Sequence, residues 1–168
     1  MITYGSRDKI FLLSGKNYSY CMYVNRMGIL QHLYWGRKIA AADACFLKAQ
    51  RGVAAEPSEG DRNADMATGG MPQELGSFGR GDFRPATVVV RRKDGAAMSR
   101  FCYVSHKIVK GALHLQGMPC ARKADETLIL TLKDDFSEIE LDLNYSVSED
   151  SDVLVRSSVI RNAGKESA

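Results

Sequence analysis

Residues 31–38, QHLYWGRK, form the segment around which the chain is organised. Large apolar and aromatic side chains run through it and end at a glycine, which is typical of a strand that leads into a turn. Two later segments carry a second set of signals, PQE at residues 72–74 and GRGDFRP at residues 79–85. Strand-like segments lie before and after this region, whereas the residues inside it lack a sustained period. We therefore expect a β scaffold that presents one large loop.

Alternation of side chains predicts that the first 36 residues form an antiparallel meander. Residues 18–24 place on one face Tyr18, Tyr20, Met22 and Val24. A turn follows at Gly28, because a glycine is free to take a positive φ. Strict alternation of residues 29–35 then places on one face Ile29, Gln31, Leu33 and Trp35. The opposite face of that strand carries Leu30, His32 and Tyr34.

A second group of strands is predicted after Pro85. Its candidates are residues 86–92, 101–109, 126–132, 138–147 and 153–160, with a hairpin turn at Lys93-Asp94-Gly95. In residues 101–109, alternation sets Phe101 and Tyr103 on the face opposite His106. Residues 138–147 alternate most clearly, with inward side chains at Ile139, Leu141, Leu143, Tyr145 and Val147. Their outward, solvated positions are Glu138, Glu140, Asp142 and Asn144.

Eight or nine short strands with little helix predict an all-β protein, an antiparallel β-sandwich, in a single domain over residues 1–168. A long loop with a short helix interrupts the sandwich around residues 37–86. Residues 40–47 favour two turns of helix, and residues 52–81 show no sustained period. A stretch of this length is typical of a functional loop. A binding or assembly loop is favoured, and a disordered insertion is the alternative.

Charge and hydropathy exclude several classes of function. The net charge of +3 is not collected into a basic tract, so we expect no nucleic-acid partner. Because no apolar run approaches the roughly 20 residues of a spanning helix, we expect no membrane span. The start of the sequence, MITYGSRDK, lacks the order of a secretory signal. Reduced thiols are favoured for the four cysteines, which form no CxxC pair: Cys21, Cys45, Cys102 and Cys120. A cytoplasmic protein is therefore expected.

A search for catalytic constellations gives no candidate catalytic residue, metal site or cofactor motif. The sequence has no GxSxG, P-loop or HExxH pattern, and metal-ligand spacing is missing among His32, His106 and His114. For His32 and His106, which both lie in alternating segments, a structural role is favoured over that of a ligand or base.

Three further features have two interpretations each. Asp82 and Arg84 form either a substrate-binding pair or a salt bridge that fixes the end of the loop. The salt bridge is favoured, because residues i and i+2 share one side of an extended strand. Trp35 could stack on a sugar ring, but a buried strand tryptophan is favoured. A solvated turn, without calcium-loop spacing, is favoured for Glu149, Asp150 and Asp152.

Eight short segments occur in order along the chain, which they cover from about residue 9 to Gly164. The first three are HLYWG at 32–36, PQE at 72–74, and GDFR with a following proline at 81–85. The others are SHKI at 105–108, Gly-Met-Pro at 117–119, ETL at 126–128, LNY at 143–145 and RS at 156–157. As an ordered set they resemble the N-terminal β-domain of family 36 glycoside hydrolases, the bacterial α-galactosidases.

The resemblance implies an enzyme of three parts: an N-terminal β-supersandwich, a (β/α)8 barrel and a small C-terminal β-domain. The two catalytic aspartates of its retaining mechanism belong to the barrel, and no segment of this chain resembles the barrel's motifs. The chain is therefore expected to be an incomplete N-terminal domain, a fragment that is inactive alone. The resemblance also implies an α-galactoside substrate for the full enzyme, such as melibiose or raffinose, no cofactor, and a homo-oligomer, often a tetramer.

In this family, the loop after the HLYWG-like strand contributes a substrate-binding aspartate to a galactose site, often that of a neighbouring subunit. The matching position here is Gln50, within the segment LKAQR at 47–51. A glutamine can hydrogen-bond sugar hydroxyls but lacks the charge of an aspartate. The implied role of the chain is that of scaffold, loop donor and subunit contact. The alternatives are a non-catalytic galactoside-binding sandwich and a pure assembly module.

Overall fold

Two antiparallel four-stranded sheets face each other in the computed structural model of this protein, which describes residues 1–48, 72–79 and 82–165. The first sheet consists of β1 (Ile2–Gly5), β2 (Ile10–Ser14), β3 (Tyr18–Val24) and β4 (Leu30–Arg37). The second consists of β5 (Phe101–Lys110), β6 (Glu126–Asp134), β7 (Ile139–Val147) and β8 (Leu154–Asn162). In each sheet, strands that follow one another in sequence are neighbours. The predicted antiparallel β-sandwich is confirmed.

The main core lies between the two sheets and takes side chains from both. The inward residues predicted for β3 and β7 are all buried there, together with Phe11 and Leu13 of β2 and three leucines of β6, Leu128, Leu130 and Leu132. Each fully buried side chain of this size stabilises the fold by about 1.5–3 kcal/mol. One outward position departs from the prediction: Asn144 is only 2% exposed. It lies on an inner strand between Ile129 and Ser157, so neighbours flank it on both sides.

Two β-bulges change the faces that alternation predicts. Opposite β3, Met22 pairs with His32 and Cys21 with Tyr34, so Leu33 is an extra residue in β4. Beyond Leu33 the faces are exchanged, because one added residue shifts a pattern of period two. Trp35 therefore shares the inner face with His32, and the predicted grouping of Trp35 with Leu33 is wrong.

A bulge at Val104 has the same effect in β5. Tyr103 pairs with Leu132 and Ser105 with Thr131, which leaves Val104 without a register partner in β6. Tyr103 and His106 consequently lie on one side of the strand, and the Tyr103 hydroxyl lies 2.7 Å from His106 Nδ1. The prediction that these two residues lie on opposite faces is wrong for this reason.

The strand predicted at residues 86–92 does not form, although its turn does. Val88 makes one isolated parallel bridge with Ser77, while Gly95, at φ 86°, closes a turn by donating to Arg92 O at 2.9 Å. Val90 is buried and Val88 packs against the main core. These β-branched residues fill the core without a neighbouring strand, so propensity alone did not decide their structure. Conversely, β1 is only four residues long and was not predicted.

The region around residues 37–86 contains the predicted short helix. A helix at Ala41–Ala44 continues as a 3-10 helix at Cys45–Lys48. Among the described residues, no helix has the length and apolar character that crossing a membrane requires. The described chain resumes at Pro72 beside β4, where His32 N donates to Pro72 O at 2.7 Å. Most of the loop predicted at 52–81 lies outside the described residues.

Candidate functional site

A buried carboxylate, that of Glu74, lies between the two sheets next to the inner face of β4. Its side chain is 2% exposed. The Tyr20 hydroxyl lies 2.7 Å from both carboxylate oxygens, and the Tyr145 hydroxyl donates to Oε1 at 2.7 Å. Tyr20 belongs to β3 of the first sheet and Tyr145 to β7 of the second. One carboxylate thus joins the two sheets.

Arg156 of β8 and His32 of β4 complete the surroundings of Glu74. The Arg156 guanidinium lies 3.2 Å from Glu74 Oε1 and donates through Nη2 to the Glu74 carbonyl oxygen at 2.8 Å. His32 Nδ1 lies 3.8 Å from Oε2, and Glu74 N donates to Leu30 O at 3.0 Å. We call Glu74, Tyr20, Tyr145, Arg156 and His32 the Glu74 cluster. Because it has hydrogen-bond and ionic partners, this buried charge is tolerated.

Burial and the Glu74 carboxylate both raise the pKa of the two tyrosines. Removal from water is the larger cause for Tyr20 and for Tyr145, since it disfavours the phenolate. The negative charge of Glu74 acts in the same direction, while Arg156 opposes it. Both hydroxyls therefore keep their protons at neutral pH and serve as hydrogen-bond donors rather than as bases.

Trp35 lies beside this cluster on the inner face of β4 and is 58% exposed. Its ring meets the Tyr20 ring edge to face at 5.0 Å and stacks on the Tyr18 ring at 6.1 Å. The expectation of a buried strand tryptophan is wrong, because β4 is an edge strand and its inner face is open at this end. Two supporting rings hold an exposed indole, which is an arrangement able to stack on a flat apolar ligand face.

Two of the three histidines, His32 and His106, pack against aromatic rings. His32 packs against the Tyr20 ring at 4.9 Å, and His106 packs against the rings of Tyr4 and Phe11. Burial lowers the pKa of His106, which favours the neutral ring. His114 is exposed in the segment after β5. These ring contacts agree with the structural role predicted for His32 and His106.

Asp82 and Arg84 form the predicted salt bridge. Arg84 Nη2 lies 2.7 Å from Asp82 Oδ2 and Nε lies 2.9 Å from Oδ1, a bidentate geometry. Hydrogen bonds from the Arg84 side chain hold the pKa of Asp82 below its usual value. Gln73 Nε2 also donates to Asp82 at 2.9 Å, which connects this pair to the segment that carries Glu74. The pair fixes local chain geometry.

The turn after β7 is solvated, as predicted, and its carboxylates have cationic or amide partners. Asp152 accepts from the backbone and side chain of Asn17 at 2.7 and 2.8 Å, and Asp150 pairs with Lys123. These contacts lower the pKa of both carboxyl groups, whereas a general acid needs a raised one. In the described parts of the chain, no three His, Cys, Asp or Glu residues are grouped to hold a metal ion.

The predicted substrate-binding residue, Gln50, lies outside the described residues. The residue that sequence reasoning missed is Glu74, which belongs to the PQE segment noted at the start. Its role had no local signal, because its partners are far away in the sequence.

Comparison with protein families gives a match over most of the chain. The family described as "Glycosyl hydrolase family 36 N-terminal domain" matches residues 28–168. Among curated proteins, the bifunctional α-galactosidase/sucrose kinase AgaSK of Mediterraneibacter gnavus is 32% identical over 97% of this chain and 18% of its own length. The α-galactosidase Mel36A of Lactobacillus acidophilus is 33% identical over 99% of this chain and 23% of its own length.

Solved structures give the same result. The galactosidase domain of AgaSK superposes with a TM-score of 0.85 at 33% identity, covering 99% of this chain and 24% of that domain. The α-galactosidase AgaA of Geobacillus stearothermophilus, in a variant complexed with raffinose, has a TM-score of 0.85 at 29% identity, covering 94% of this chain and 23% of its own. The chain spans about a fifth of the length of its curated relatives. The chain belongs to glycoside hydrolase family 36, whose N-terminal domain it matches.

Proposed function

We propose that this chain is the leading part of an α-galactosidase's N-terminal β-domain, and that it acts as scaffold, loop donor and subunit contact. In the full enzyme the substrates are terminal α-galactosides such as melibiose and raffinose, and a (β/α)8 barrel supplies the hydrolysis. The observation that carries this proposal is the family match over residues 28–168, with relatives that are α-galactosidases.

The site geometry supports a non-catalytic role for the chain itself. Hydrogen-bond and ionic partners lower the pKa of five carboxyl groups. These are Asp82, Asp125, Asp142, Asp150 and Asp152. Retaining hydrolysis needs an acid with a raised pKa opposite a second carboxylate. Glu74, the carboxylate of the Glu74 cluster, already has two hydroxyls and a guanidinium around it.

An assay with a nitrophenyl α-galactoside tests this division of labour. The isolated chain is expected to release no nitrophenol above a heat-denatured control. A full-length relative, used at equal molar concentration, serves as the positive control. Release by the isolated chain at an enzyme-like rate would refute the proposal that hydrolysis belongs to another part of the protein.

We further propose that Gln50 contacts the sugar in the full enzyme, at the position where family members carry a substrate-binding aspartate. A glutamine offers one acceptor and two donor hydrogens to hydroxyl groups but no charge. In the full-length protein, Gln50→Asp should lower KM for raffinose and Gln50→Ala should raise it. Equal KM values in all three proteins would remove Gln50 from the site.

A second candidate function, galactoside binding by the isolated chain, is favoured by one observation, the exposed Trp35. Aromatic faces stack on the apolar side of a pyranose ring, and the neighbouring His32 and Arg156 can donate hydrogen bonds to its hydroxyls. Calorimetric titration with millimolar melibiose is the test. Saturable heat in the wild type that is lost in Trp35→Ala supports binding, and a flat titration of the wild type excludes it.

Homo-oligomer formation is the third part of the proposal, with a tetramer as the expected state of the full enzyme. Edge strands β4 and β8 and the exposed Ile160 and Val153 offer backbone and apolar surface for association. Light scattering across a dilution series should show a mass that rises with concentration. The four cysteines are free thiols, and we propose a cytoplasmic location, where thiols stay reduced.

A further inference from the structure

We propose that Glu74 is a positioning residue that fixes the exposed indole of Trp35 and the segment 72–75 relative to both sheets. The inference rests on the proposed function in one respect, the role of Trp35 as an aromatic face that stacks on a galactoside. The positioning itself is argued from contacts within the described residues.

The first step is that stability alone does not account for a charge at this place. Burying a carboxylate is unfavourable, and well-packed apolar residues often replace a buried ion pair with no loss of stability. An apolar side chain at position 74 would find apolar neighbours to pack against, since Leu75 and Tyr145 belong to the main core. What a carboxylate adds is direction, because its oxygens accept hydrogen bonds only from groups at defined positions.

The second step concerns where those hydrogen bonds come from. They come from Tyr20 on β3 and Tyr145 on β7, while Arg156 on β8 contacts both the side chain and the backbone of Glu74. The Glu74 backbone is bonded to Leu30 of β4. Four strands from two sheets therefore share one residue. Its position in turn determines where the chain re-enters the sandwich next to β4.

The third step leads from Glu74 to Trp35 through Tyr20. The Tyr20 hydroxyl is held by the carboxylate at one end of the ring, and the ring itself supports the indole at 5.0 Å with an interplanar angle of 86°. His32 Nδ1 lies 3.8 Å from the Glu74 carboxylate, and the His32 ring also packs against the Tyr20 ring, with 4.9 Å between the ring centroids. The second ring support of the indole is Tyr18, at 6.1 Å. Loss of the carboxylate thus releases Tyr20, one of the two rings that hold Trp35.

The experiment uses the fluorescence of Trp35, which is the only tryptophan of the sequence. Glu74→Gln keeps the shape of the side chain and removes its charge. The ring contacts of Trp35 are with Tyr18 and Tyr20, so the substitution acts on the indole through another residue. The expected result is a red shift of the emission maximum and a larger acrylamide quenching constant, with an unchanged far-UV circular dichroism spectrum.

Thr127→Val is the matched control, because it also removes a buried hydrogen-bonding group, one that contacts Gly111 O and Ser146 Oγ at 2.7 Å. It should lower the unfolding midpoint and leave the emission and quenching of Trp35 at their wild-type values. The proposal is overturned if Glu74→Gln leaves both signals at wild type, or if Thr127→Val moves them equally.

If Glu74→Gln does not fold, Arg156→Met replaces it. This change removes the partner of the Glu74 carbonyl and carboxylate while both tyrosine donors remain. It should shift Trp35 in the same direction by a smaller amount, and a folded variant with wild-type signals overturns the proposal. Because no sugar is needed, the result is independent of the galactoside titration. A wild type that binds no melibiose refutes the sugar-binding face but not the positioning by Glu74.

Discussion

The β6–β7 pair and the Glu74 cluster hold the sandwich together by different physical means. Between β6 and β7, matched pairs such as Leu130–Leu143 and Leu132–Leu141 face the core with no polar partner required. At the Glu74 cluster, a single carboxylate is matched by hydroxyl and guanidinium groups from three strands, β3, β7 and β8. The apolar pair tolerates small movements of its members, whereas the hydrogen-bonded cluster requires each donor at a fixed distance.

This difference teaches how stability and geometry are divided in the molecule. Apolar burial supplies most of the favourable free energy and is roughly proportional to area. The Glu74 cluster adds less net free energy, because desolvation of the charge opposes its attractions. Its contribution is to select one arrangement of the two sheets and of the segment beside β4. Four measurements break or sharpen this contrast.

The largest effect is expected in the apolar region from Leu143→Ala. Leu143 is fully buried in β7, so the change should lower the free energy of unfolding by about 2–5 kcal/mol. Urea denaturation of the purified chain measures it. Ile160→Ala on the exposed part of β8 is the control and should change stability by no more than about 0.5 kcal/mol. Equal losses in the two variants would contradict the assignment of the core.

A smaller loss is expected in the Glu74 cluster from Tyr145→Phe. Hydrogen bonds to charged groups contribute about 1.5–3 kcal/mol, and this variant removes one donor to the buried carboxylate. Tyr18→Phe is the matched control, because its hydroxyl donates to a neutral carbonyl, Val153 O, at 3.4 Å. It should lose less than Tyr145→Phe in the same urea experiment. The reverse order would show that the carboxylate is not a strong acceptor.

Alkaline pH should weaken the cluster through the same tyrosines. The unfolded chain releases tyrosine protons near pH 10, whereas the folded chain keeps those of Tyr20 and Tyr145, whose pKa values are raised. Since the unfolded state then binds fewer protons, stability falls as pH rises above about 10, by up to about 1.4 kcal/mol per pH unit for each tyrosine. Urea midpoints measured from pH 9 to pH 11 should fall less steeply in Tyr145→Phe.

The smallest effect is expected at Asp82 and Arg84, where the guanidinium is 48% exposed although the Asp82 side chain is 5% exposed. Asp82→Asn should lower stability at neutral pH by about 0.2–1 kcal/mol. Because Arg84 lowers the pKa of Asp82, this contribution is present above about pH 4 and is lost as pH falls through the lowered folded value. The difference between variant and wild type should therefore shrink in acid. Asp94→Asn, at an exposed pair with Arg92, should show no comparable difference at either pH.

The parts of the fold that sequence could predict are those whose determinants are local. Alternation along residues 138–147 identified every inward side chain of β7, and the spacing of Asp82 and Arg84 indicated their salt bridge. The Glu74 cluster was out of reach, because Tyr20, Tyr145 and Arg156 lie 54, 71 and 82 positions from Glu74. A carboxylate and two phenols at such separations carry no pattern until the sheets are assembled.

Side-chain orientation in β4 and β5 was out of reach for another reason. The extra residues Leu33 and Val104 have ordinary strand propensities and no glycine or proline marks either bulge. The failed strand at residues 86–92 shows the converse case, in which favourable β propensity led to one isolated bridge, between Val88 and Ser77, instead of a strand. The exposure of Trp35 followed from both facts, an unmarked bulge and an edge position.

The extra residue at Leu33 acts on side-chain orientation as an inserted nucleotide acts on a reading frame. Everything in β4 before it keeps one phase, and everything after it, Trp35 included, is shifted to the other. Deletion of Leu33 would remove the bulge and leave plain alternation, with Tyr34 opposite Cys21 and Trp35 opposite Tyr20, so the indole would keep the inner face. In comparisons between relatives, a gap of one residue at this position would therefore change the length of the strand and leave the side chains on either side of it on the same faces.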